Sequence, residues 1–450
     1  MAVDMSRHFT ARQLVKYALP SIVMTIFAST YSIVDGLFVS NFAGKTALAA
    51  VNWAFPVLMI LSSVGFMIGT GGSAIVSKTR GEGDEARANR YFSLMVYAAL
   101  AIGVVFALAG VGLLRPLYAL MGAQGEMLDL ATVYGLIALV SLPFFMLQYV
   151  FQSFFVVAGK PQLGFFVVVA AGVTNMVLDA LFVGMFQWGV VGASIATSAS
   201  EFVGGGVPLI YFARKNSSFL KLGRTRVEWR VLGRACVNGS SEMVSNIAFS
   251  LVGMLYNYQL LRYLGEDGVA AYSVIMYVAM VFGAVFMGYT VGTSPLMSFQ
   301  YGAQNRTEMR SLYRKSMLFV GASGVCMFIL AQTCAHAAAL VFVGYDAELC
   351  AMTERAFRIY ALIYLVMGFC VYASSLFTAL NNGLVSAVIS FLRTLVFEVV
   401  AVLALPVLVG AQGIWFAAPA AECVALVVSA VFIAVLGPRY GFIGKAKAGS

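Results

Sequence analysis

The chain has 450 residues, of which 61% are hydrophobic and only 10% charged, and its mean hydropathy is +0.90. A soluble protein usually carries about 25% charged residues, so this composition excludes a soluble globular protein and predicts an integral membrane protein. The formal net charge of +9 at pH 7 does not indicate a nucleic-acid-binding surface, because the lysines and arginines follow the loops between apolar segments.

Apolar segments long enough to cross a hydrocarbon core of about 30 Å as helices recur along the whole chain. They predict twelve membrane-spanning helices and leave no sizeable soluble domain. The first segment lacks a small-residue cleavage pattern, so we expect it to be retained rather than removed as a signal peptide. The predicted spans cover residues 14–42, 47–77, 91–114, 131–157, 162–186, 189–212, 232–262, 268–297, 311–333, 354–380, 383–408 and 412–436.

The basic residues sort to alternate loops of this topology. Of the 28 lysines and arginines, 22 lie in loops or at span ends on one side of the predicted membrane, five lie in such positions on the other side, and Arg393 lies deep within a span. The side with the excess holds both chain ends, including Lys445 and Lys447. The positive-inside rule therefore predicts that both termini lie in the cytoplasm. We expect a multi-pass protein of the plasma membrane.

Three carboxylates lie within predicted spans of the first half: Asp35 in the first, Asp179 in the fifth and Glu201 in the sixth. Each costs on the order of 3 kcal/mol to insert, so it is expected to face protein or a watery cavity on an ion or substrate path. Asn175 lies four residues before Asp179, on the same helical face. Thr197 lies likewise before Glu201.

The short turn at residues 187–188 makes the fifth and sixth spans antiparallel neighbours, so their polar faces can meet. With Asp35, they would form either a pocket of oxygen ligands for a hard cation or a crowded, buried carboxylate cluster that shares a proton. For Asn175 and Thr197, hydrogen bonding that only joins helices is an equally open interpretation. A lone structural carboxylate joins helices poorly, so function is favoured for Asp179.

The second half carries three embedded carboxylates and the one embedded base: Glu242 in the seventh span, Arg393 and Glu398 in the eleventh, and Glu422 in the twelfth. Arg393 and Glu398 lie five residues apart, or about 140° around the helix. We therefore expect Arg393 to pair with another helix, for example through Glu422. A structural ion pair is as well supported for these residues as a transport role.

The sequence repeats itself with an offset of 221 residues. This offset aligns Gly44 with Gly265 and, at membrane depth, Glu201 with Glu422. The chain is therefore predicted to contain two copies of a six-span unit, related by an axis along the membrane normal. The predicted domains are an N-terminal lobe at 1–213, a basic cytoplasmic linker at 214–231 and a C-terminal lobe at 232–450.

Aromatic residues and methionines are plentiful, and most are expected to face lipid or pack between helices. If a cleft lies between the halves, a few of them could hold flat cationic molecules by ring stacking and pliable apolar contact. These candidates are Tyr31, Phe38, Phe55, Met59, Tyr149, Tyr256 and Met276.

Six stretches of the sequence form a recognisable set along the chain. They are YALPSIV around Pro20, YSIVDGLFVS around Asp35, GTGGSAIVSKTRGEGD leaving the second span, NMVLDALFV in the fifth, GVVGASIATS in the sixth and GAQGIWFAAPAAE entering the twelfth. Together they resemble the multidrug and toxic compound extrusion family, in its bacterial branch. The resemblance covers nearly the whole chain, in order and without large insertions.

This resemblance implies a V-shaped pair of six-helix lobes that exports amphipathic, often cationic compounds in exchange for Na⁺ or H⁺. The family's cation site maps onto Asp35, Asn175, Asp179 and Thr197. In similar proteins a proline in the first span bends that helix when the site is loaded, which corresponds to Pro20. Glu242 matches a family position that is acidic in several branches, but the tenth span lacks the aspartate of another branch, which weakens the case for a second-lobe cation site.

The leading functional prediction is thus a cation-coupled multidrug antiporter that works as a monomer in the bilayer on small organic cations. No organic cofactor, metal site or nucleic-acid partner is expected. A flippase for lipid-linked oligosaccharides is the alternative, although six embedded acids against one base disfavour a substrate that carries phosphates. An intramembrane enzyme is disfavoured because no compact catalytic set is visible.

Overall fold

The computed structural model describes residues 5–443, which leaves Lys445 and Lys447 outside the described residues. Nearly all of this range is helical, in twelve membrane-spanning helices. They are α1 (Ala11–Phe38), α2 (Lys45–Gly81), α3 (Glu85–Leu120), α4 (Gly125–Val157), α5 (Pro161–Asp179), α6 (Gly189–Glu201, resuming as Val207–Ala213), α7 and α8 (together Trp229–Gly302), α9 (Arg306–Val343), α10 (Ala347–Tyr360, resuming as Tyr364–Ala379), α11 (Gly383–Phe391, resuming as Glu398–Val409) and α12 (Gly413–Tyr440).

The count of twelve depends on two interruptions. Ten helices between residues 5 and 443 are long and apolar enough to cross a membrane. One of these, Trp229–Gly302, reverses at Gly265, whose φ of 69° and ψ of −159° are open to glycine but strained for other residues. It therefore forms α7 (229–264) and α8 (266–302), while α6 crosses in shorter segments. The prediction of an all-α membrane protein with two six-helix lobes is confirmed.

The repeat is visible in the backbone as well as in the sequence. Gly44, the repeat equivalent of Gly265, also has a positive φ, of 91°. Asp84 and Asn305, which are 221 positions apart, each cap a helix by accepting from the backbone N–H three residues on, at 2.8 and 3.1 Å. Corresponding loops of the two lobes thus turn in the same way. We call α1–α6 lobe one, α7–α12 lobe two, and the side on which α1 begins and α12 ends the terminal side.

The apolar core of lobe one is split into two clusters, one toward each membrane surface. The terminal-side cluster includes Ile68 and Phe154, and the cluster on the opposite side includes Leu139 and Val190. The middle of α5 and α6 runs between them. This gap is where the sequence places its embedded polar residues in lobe one.

The linker between the lobes is fastened to lobe one. The backbone N–H of Lys221 donates to Asn89 Oδ1 at 2.8 Å, and that of Gly223 donates to Ser93 Oγ at 3.0 Å. Both acceptors lie on α3. The segment from residue 214 to the start of α7 therefore lies along lobe one and is not a free tether.

The lobes meet on the terminal side in a seam of close backbone contacts between α2 and α8. A Cβ added to Gly81 would lie 2.1 Å from the Phe299 carbonyl oxygen, and one added to Gly302 would lie 2.1 Å from that of Lys78. Shifting Lys78 and Gly81 by 221 residues gives Phe299 and Gly302. Each contact is therefore the repeat equivalent of the other, as an axis along the membrane normal requires.

Helix α1 extends this seam toward the middle of the membrane by packing on α8. A Cβ added to Gly292 would lie 3.0 Å from Ala18 Cα, and Thr25 Oγ1 donates to the Ala284 carbonyl oxygen at 2.7 Å. Pro20 lies between these two contacts and is contained within the continuous helix α1. The first helix of lobe one is thus part of the surface that joins the lobes.

The seam predicts that Gly81→Ala destabilises the protein. The methyl group of the alanine would overlap the Phe299 carbonyl, so α2 and α8 would have to move apart. We expect a loss of about 1–3 kcal/mol, as for other overpacked sites, measured as a lower unfolding midpoint in detergent. Gly112→Ala in α3 is the matched control, because its added Cβ has no atom within 4 Å. Equal midpoints for the two variants would contradict the seam.

Candidate functional site

Four residues from three helices of lobe one converge between the two apolar clusters. Asp35 of α1 lies beside Asp179 and Asn175 of α5, and Tyr134 of α4 lies near both carboxylates and beside Thr197 of α6. Asp179 is fully buried and Asn175 is 2% exposed. The structure thus brings together the four residues that the sequence singles out as a cation site. We call this group the carboxylate cluster.

The turn between α5 and α6 positions the two contributing faces. Gln187 has a φ of 55°, and the Trp188 N–H donates to the Phe182 carbonyl oxygen at 2.8 Å. The Trp188 ring also stacks on Phe182, with centroids 4.9 Å apart. This tight reversal makes α5 and α6 antiparallel neighbours, and both Asp179 of α5 and Thr197 of α6 lie near Tyr134 of α4.

Most side-chain oxygens of the carboxylate cluster have no hydrogen-bond partner among the described residues. Both carboxylate oxygens of Asp179, Asp35 Oδ1, Asn175 Oδ1 and Thr197 Oγ1 are buried, and none has a hydrogen-bond partner among residues 5–443. A buried polar atom without a partner is costly, and a buried charge without one is more so. Oxygen atoms of this kind are the ligands of a hard cation, and two adjacent carboxyl groups can instead share a proton.

Helix α4 adds a polar stripe that the sequence analysis missed. Tyr134 lies beside Thr197, Ser141 beside Glu201, and Gln148 beside Tyr31 of α1. These three α4 residues are spaced by seven positions, so they share one face of the helix. This seven-residue spacing could have been recognised in the sequence, because the three polar residues interrupt an otherwise apolar span.

Each embedded charge of lobe one lies next to a π-helical segment. Asp179 and Glu201 are the last residues before such segments, and the Asp35 carbonyl accepts the N–H that begins another. In lobe two, Arg393 lies within a π segment and Glu398 directly follows it. π segments are rare and concentrate at functional sites. The four segments are Val39–Ala43, Ala180–Met185, Phe202–Gly206 and Leu392–Phe397.

Lobe two does not repeat the carboxylate cluster. Asp35, Asp179 and Thr197 correspond to Tyr256, Val400 and Ala418. Only Glu201 has an acidic equivalent, Glu422.

Lobe two instead contains a largely buried side chain with a positive charge, that of Arg393. Arg393 Nε lies 3.1 Å from Glu422 Oε1 and joins α11 to α12. The guanidinium also faces Glu398 and Glu242. The side chains of Arg393 and Glu422 are only 13% and 10% exposed. The four charges of lobe two thus form one group around an arginine.

The remaining sequence candidates are dispersed. Tyr31 and Tyr149 lie close to Glu201, at the edge of the carboxylate cluster. Phe55 is half exposed, and Tyr256 is 2% exposed and stacked on Tyr272, with ring centroids 4.9 Å apart. Tyr256 therefore belongs to the interior of lobe two, and its assignment to an open cleft is wrong. Phe38, Met59 and Met276 are half-buried.

Comparisons with known proteins point to one family. The family model described as MatE matches residues 20–181 and 243–403. The multidrug export protein MepA of Staphylococcus aureus is 24% identical over 328 residues, which is 72% of each chain. MepA of Staphylococcus saprophyticus is 24% identical over 319 residues, which is 70% of each chain.

Solved structures share the fold at low sequence identity. An outward-facing multidrug resistance MATE family transporter of the MOP superfamily has a TM-score of 0.89 and 21% identity, over 96% of this chain and 98% of that one. A MATE transporter of Vibrio cholerae has a TM-score of 0.88 and 21% identity, with the same coverage. A MOP superfamily transporter of Pyrococcus furiosus has a TM-score of 0.89 and 21% identity, over 96% and 97%.

The ion pair between Arg393 and Glu422 predicts that a second substitution can restore stability lost by the first. Arg393→Met leaves Glu422 buried without its partner, which is expected to cost about 3–5 kcal/mol. Adding Glu422→Gln removes the orphaned charge and should recover most of that loss. The measurement is the unfolding midpoint in detergent of the wild type, both single variants and the double variant. An Arg393→Met midpoint equal to that of the wild type would show that the pair is not structural.

Proposed function

Because the chain belongs to the MatE family of membrane transporters, we propose that it is a cation-coupled antiporter that exports amphipathic organic cations. The carboxylate cluster carries this proposal. It offers buried, unpartnered oxygens from α1, α5 and α6 to a small cation. The names of the MepA relatives support multidrug export. We place the protein in the plasma membrane, where a single chain supplies both lobes.

Coupling requires that the bound cation and the exported compound favour different states of the protein. A cation on Asp35 and Asp179 removes the repulsion between two neighbouring carboxylates, so it changes how α1 packs on α5. An organic cation in the space between the lobes would favour the opposite arrangement. The energy for export then comes from the inward gradient of Na⁺ or H⁺.

Helix α1 connects the carboxylate cluster to the seam. Asp35 lies ten residues beyond Thr25, or about 15 Å along the helix, and Thr25 contacts α8. Pro20 lacks a backbone N–H and so removes one intrahelical hydrogen bond, which makes this part of α1 easier to bend. A bend at Pro20 would pull Ala18 and Thr25 from lobe two and open the seam.

The direction of opening follows from the side that the seam closes. The distribution of basic loops places the terminal side in the cytoplasm, so a seam between α2 and α8 on that side closes the route inward. We therefore assign this structure to the outward-facing state.

The alternative of a flippase for lipid-linked oligosaccharides has less support. Arg393 is the one base that the sequence places deep within a predicted span, away from the span ends, and its guanidinium is engaged by Glu422. An embedded base that is already paired is a poor partner for a substrate phosphate. Five of the six embedded acids keep no basic partner within 4 Å among the described residues, which suits a cationic substrate instead.

The central test is Asp179→Asn, which keeps the shape of the side chain but removes its charge. We expect loss of gradient-driven export with normal expression in the membrane, because cation binding can no longer be coupled to α1. The assay is efflux of a fluorescent organic cation from proteoliposomes, with a Na⁺ gradient or a pH gradient imposed separately. The gradient that drives the wild type identifies the coupling ion.

Glu126→Gln is the control for this experiment, since Glu126 is an exposed acid in the first turn of α4. It should export at the wild-type rate. Full export by Asp179→Asn under both gradients would remove the basis of the proposed mechanism.

A second prediction concerns the α4 stripe. Tyr134→Phe removes one hydroxyl beside Thr197, and a single hydrogen bond is worth about 1 kcal/mol, or roughly a fivefold change in affinity. We expect about fivefold more coupling cation to be needed for half-maximal export, with little change in the maximal rate. Tyr118→Phe is the control, because its hydroxyl is buried, has no hydrogen-bond partner within residues 5–443 and lies outside the carboxylate cluster. Equal effects of both variants would argue against a role for the stripe.

A further inference from the structure

A cavity of about 360 Å³ lies on the terminal side of lobe two, outside the carboxylate cluster and the seam. It is formed where α8 and α12 end and where α9 and α11 begin. Its polar lining comes from Gln304, Arg306, Asn382 and Arg439, and two of its walls are the rings of Tyr301 and Tyr440. The cation-coupled export proposed above gives this cavity no role.

The cavity is positively charged. The side chains of Arg306 and Arg439 are both exposed, and neither side chain forms an ion pair or hydrogen bond with another residue of the range 5–443. No carboxylate is among the described residues that line it. The nearby acid Glu308 is engaged elsewhere, by His8 and by the backbone N–H of Phe9. Two uncompensated guanidinium groups therefore face one small space.

The walls of the cavity are held in place before any ligand arrives. Asn382 Nδ2 donates to Tyr440 Oη at 3.0 Å, and the Tyr301 and Tyr440 rings meet edge to face, with centroids 5.7 Å apart. Arg310 Nε donates to the Gly441 carbonyl oxygen at 2.9 Å, which fastens the end of α12 to α9. A preformed site spends little binding free energy on ordering its own groups.

The same corner of lobe one is built differently. The repeat equivalents of Arg306 and Tyr301 are Glu85 and Arg80, whose Oε1 and Nε lie 3.8 Å apart as an internal ion pair. The Arg80 guanidinium also lies 3.6 Å from the centre of the Phe219 ring, which belongs to the linker. Lobe one thus fills and neutralises this corner. The open, cationic corner of lobe two is therefore not imposed by the fold.

We propose that this cavity binds a phosphate group, namely the headgroup phosphate of an anionic phospholipid in the leaflet on the terminal side. Two arginines form the fork-like donors that phosphate oxygens prefer, and Gln304 and Asn382 add neutral polar groups. Basic pockets between membrane helices commonly hold anionic headgroups. Met309 and Leu436 also line the cavity and offer an apolar surface to the glycerol and acyl carbons.

A bound headgroup would also act on the seam. Tyr301 lines the cavity, and the next residue, Gly302, packs on the Lys78 carbonyl of lobe one. Lys78 Nζ itself lies 5.4 Å from the centre of the Tyr301 ring. A lipid that fixes the end of α8 should therefore stabilise the seam.

The test uses the full-length protein purified in detergent, with phosphatidylglycerol, phosphatidylcholine or inorganic phosphate added separately. Lipid retention is read by native mass spectrometry, and stability by the unfolding midpoint. We expect phosphatidylglycerol to be retained and to raise the midpoint more than phosphatidylcholine does. The double variant Arg306→Gln/Arg439→Gln should bind phosphatidylglycerol at least about tenfold more weakly, since each arginine near an anionic lipid contributes on the order of a fivefold effect.

Two further variants make the result specific. Arg234→Gln removes an exposed positive charge elsewhere on the terminal side and should keep the lipid preference. Arg306→Lys/Arg439→Lys keeps the charge and should keep most of the binding, which separates lost recognition from misfolding. Equal loss in Arg234→Gln, or stabilisation by inorganic phosphate but not by phosphatidylglycerol, would overturn the proposed lipid site. Neither outcome bears on cation-coupled export, which depends on Asp179.

Discussion

The structure depends on a group of buried oxygens that the protein itself does not satisfy. Asp179 is fully buried with both carboxylate oxygens unpartnered among residues 5–443, and Asp35 and Asn175 add further oxygens beside it. Such a group is unfavourable alone and becomes favourable when a small cation binds. The two apolar clusters of lobe one isolate it from both membrane surfaces. Its occupancy can therefore change the packing of the helices that build it.

Helix α1 is the element through which such a change can spread. It contributes Asp35 to the carboxylate cluster and, nearer its start, Ala18 and Thr25 to the contact with α8. The side chains of Phe9 and Tyr17 at this end belong to the same apolar core as lobe two. One helix is thus shared between the two lobes. The π segments beside the embedded charges supply further places where helix packing is already irregular.

The two sequence repeats form a symmetric seam, but the charged residues inside their lobes differ. At the seam, glycines 221 positions apart make equivalent backbone contacts, because both halves must approach equally closely. Inside the lobes this requirement is absent. Lobe one keeps carboxylates without a base, whereas lobe two binds its acid Glu422 to Arg393. The terminal-side corners differ in the opposite sense: lobe one has an ion pair there, whereas the side chains of Arg306 and Arg439 in lobe two have no ion-pair partner among residues 5–443.

The sequence by itself determined the number of helices, the two-copy architecture and the four residues of the carboxylate cluster. Hydropathy requires about 20 apolar residues per span, and a carboxylate in such a span stands out because its insertion is costly. Only the tertiary structure decided what surrounds these residues. The π segments lie in ordinary apolar sequence, and the true setting of Tyr256 depends on its stacking with Tyr272. The partner of Arg393 and the cavity beside Arg306 also required coordinates, since contacts between distant helices leave no periodic signal along the chain.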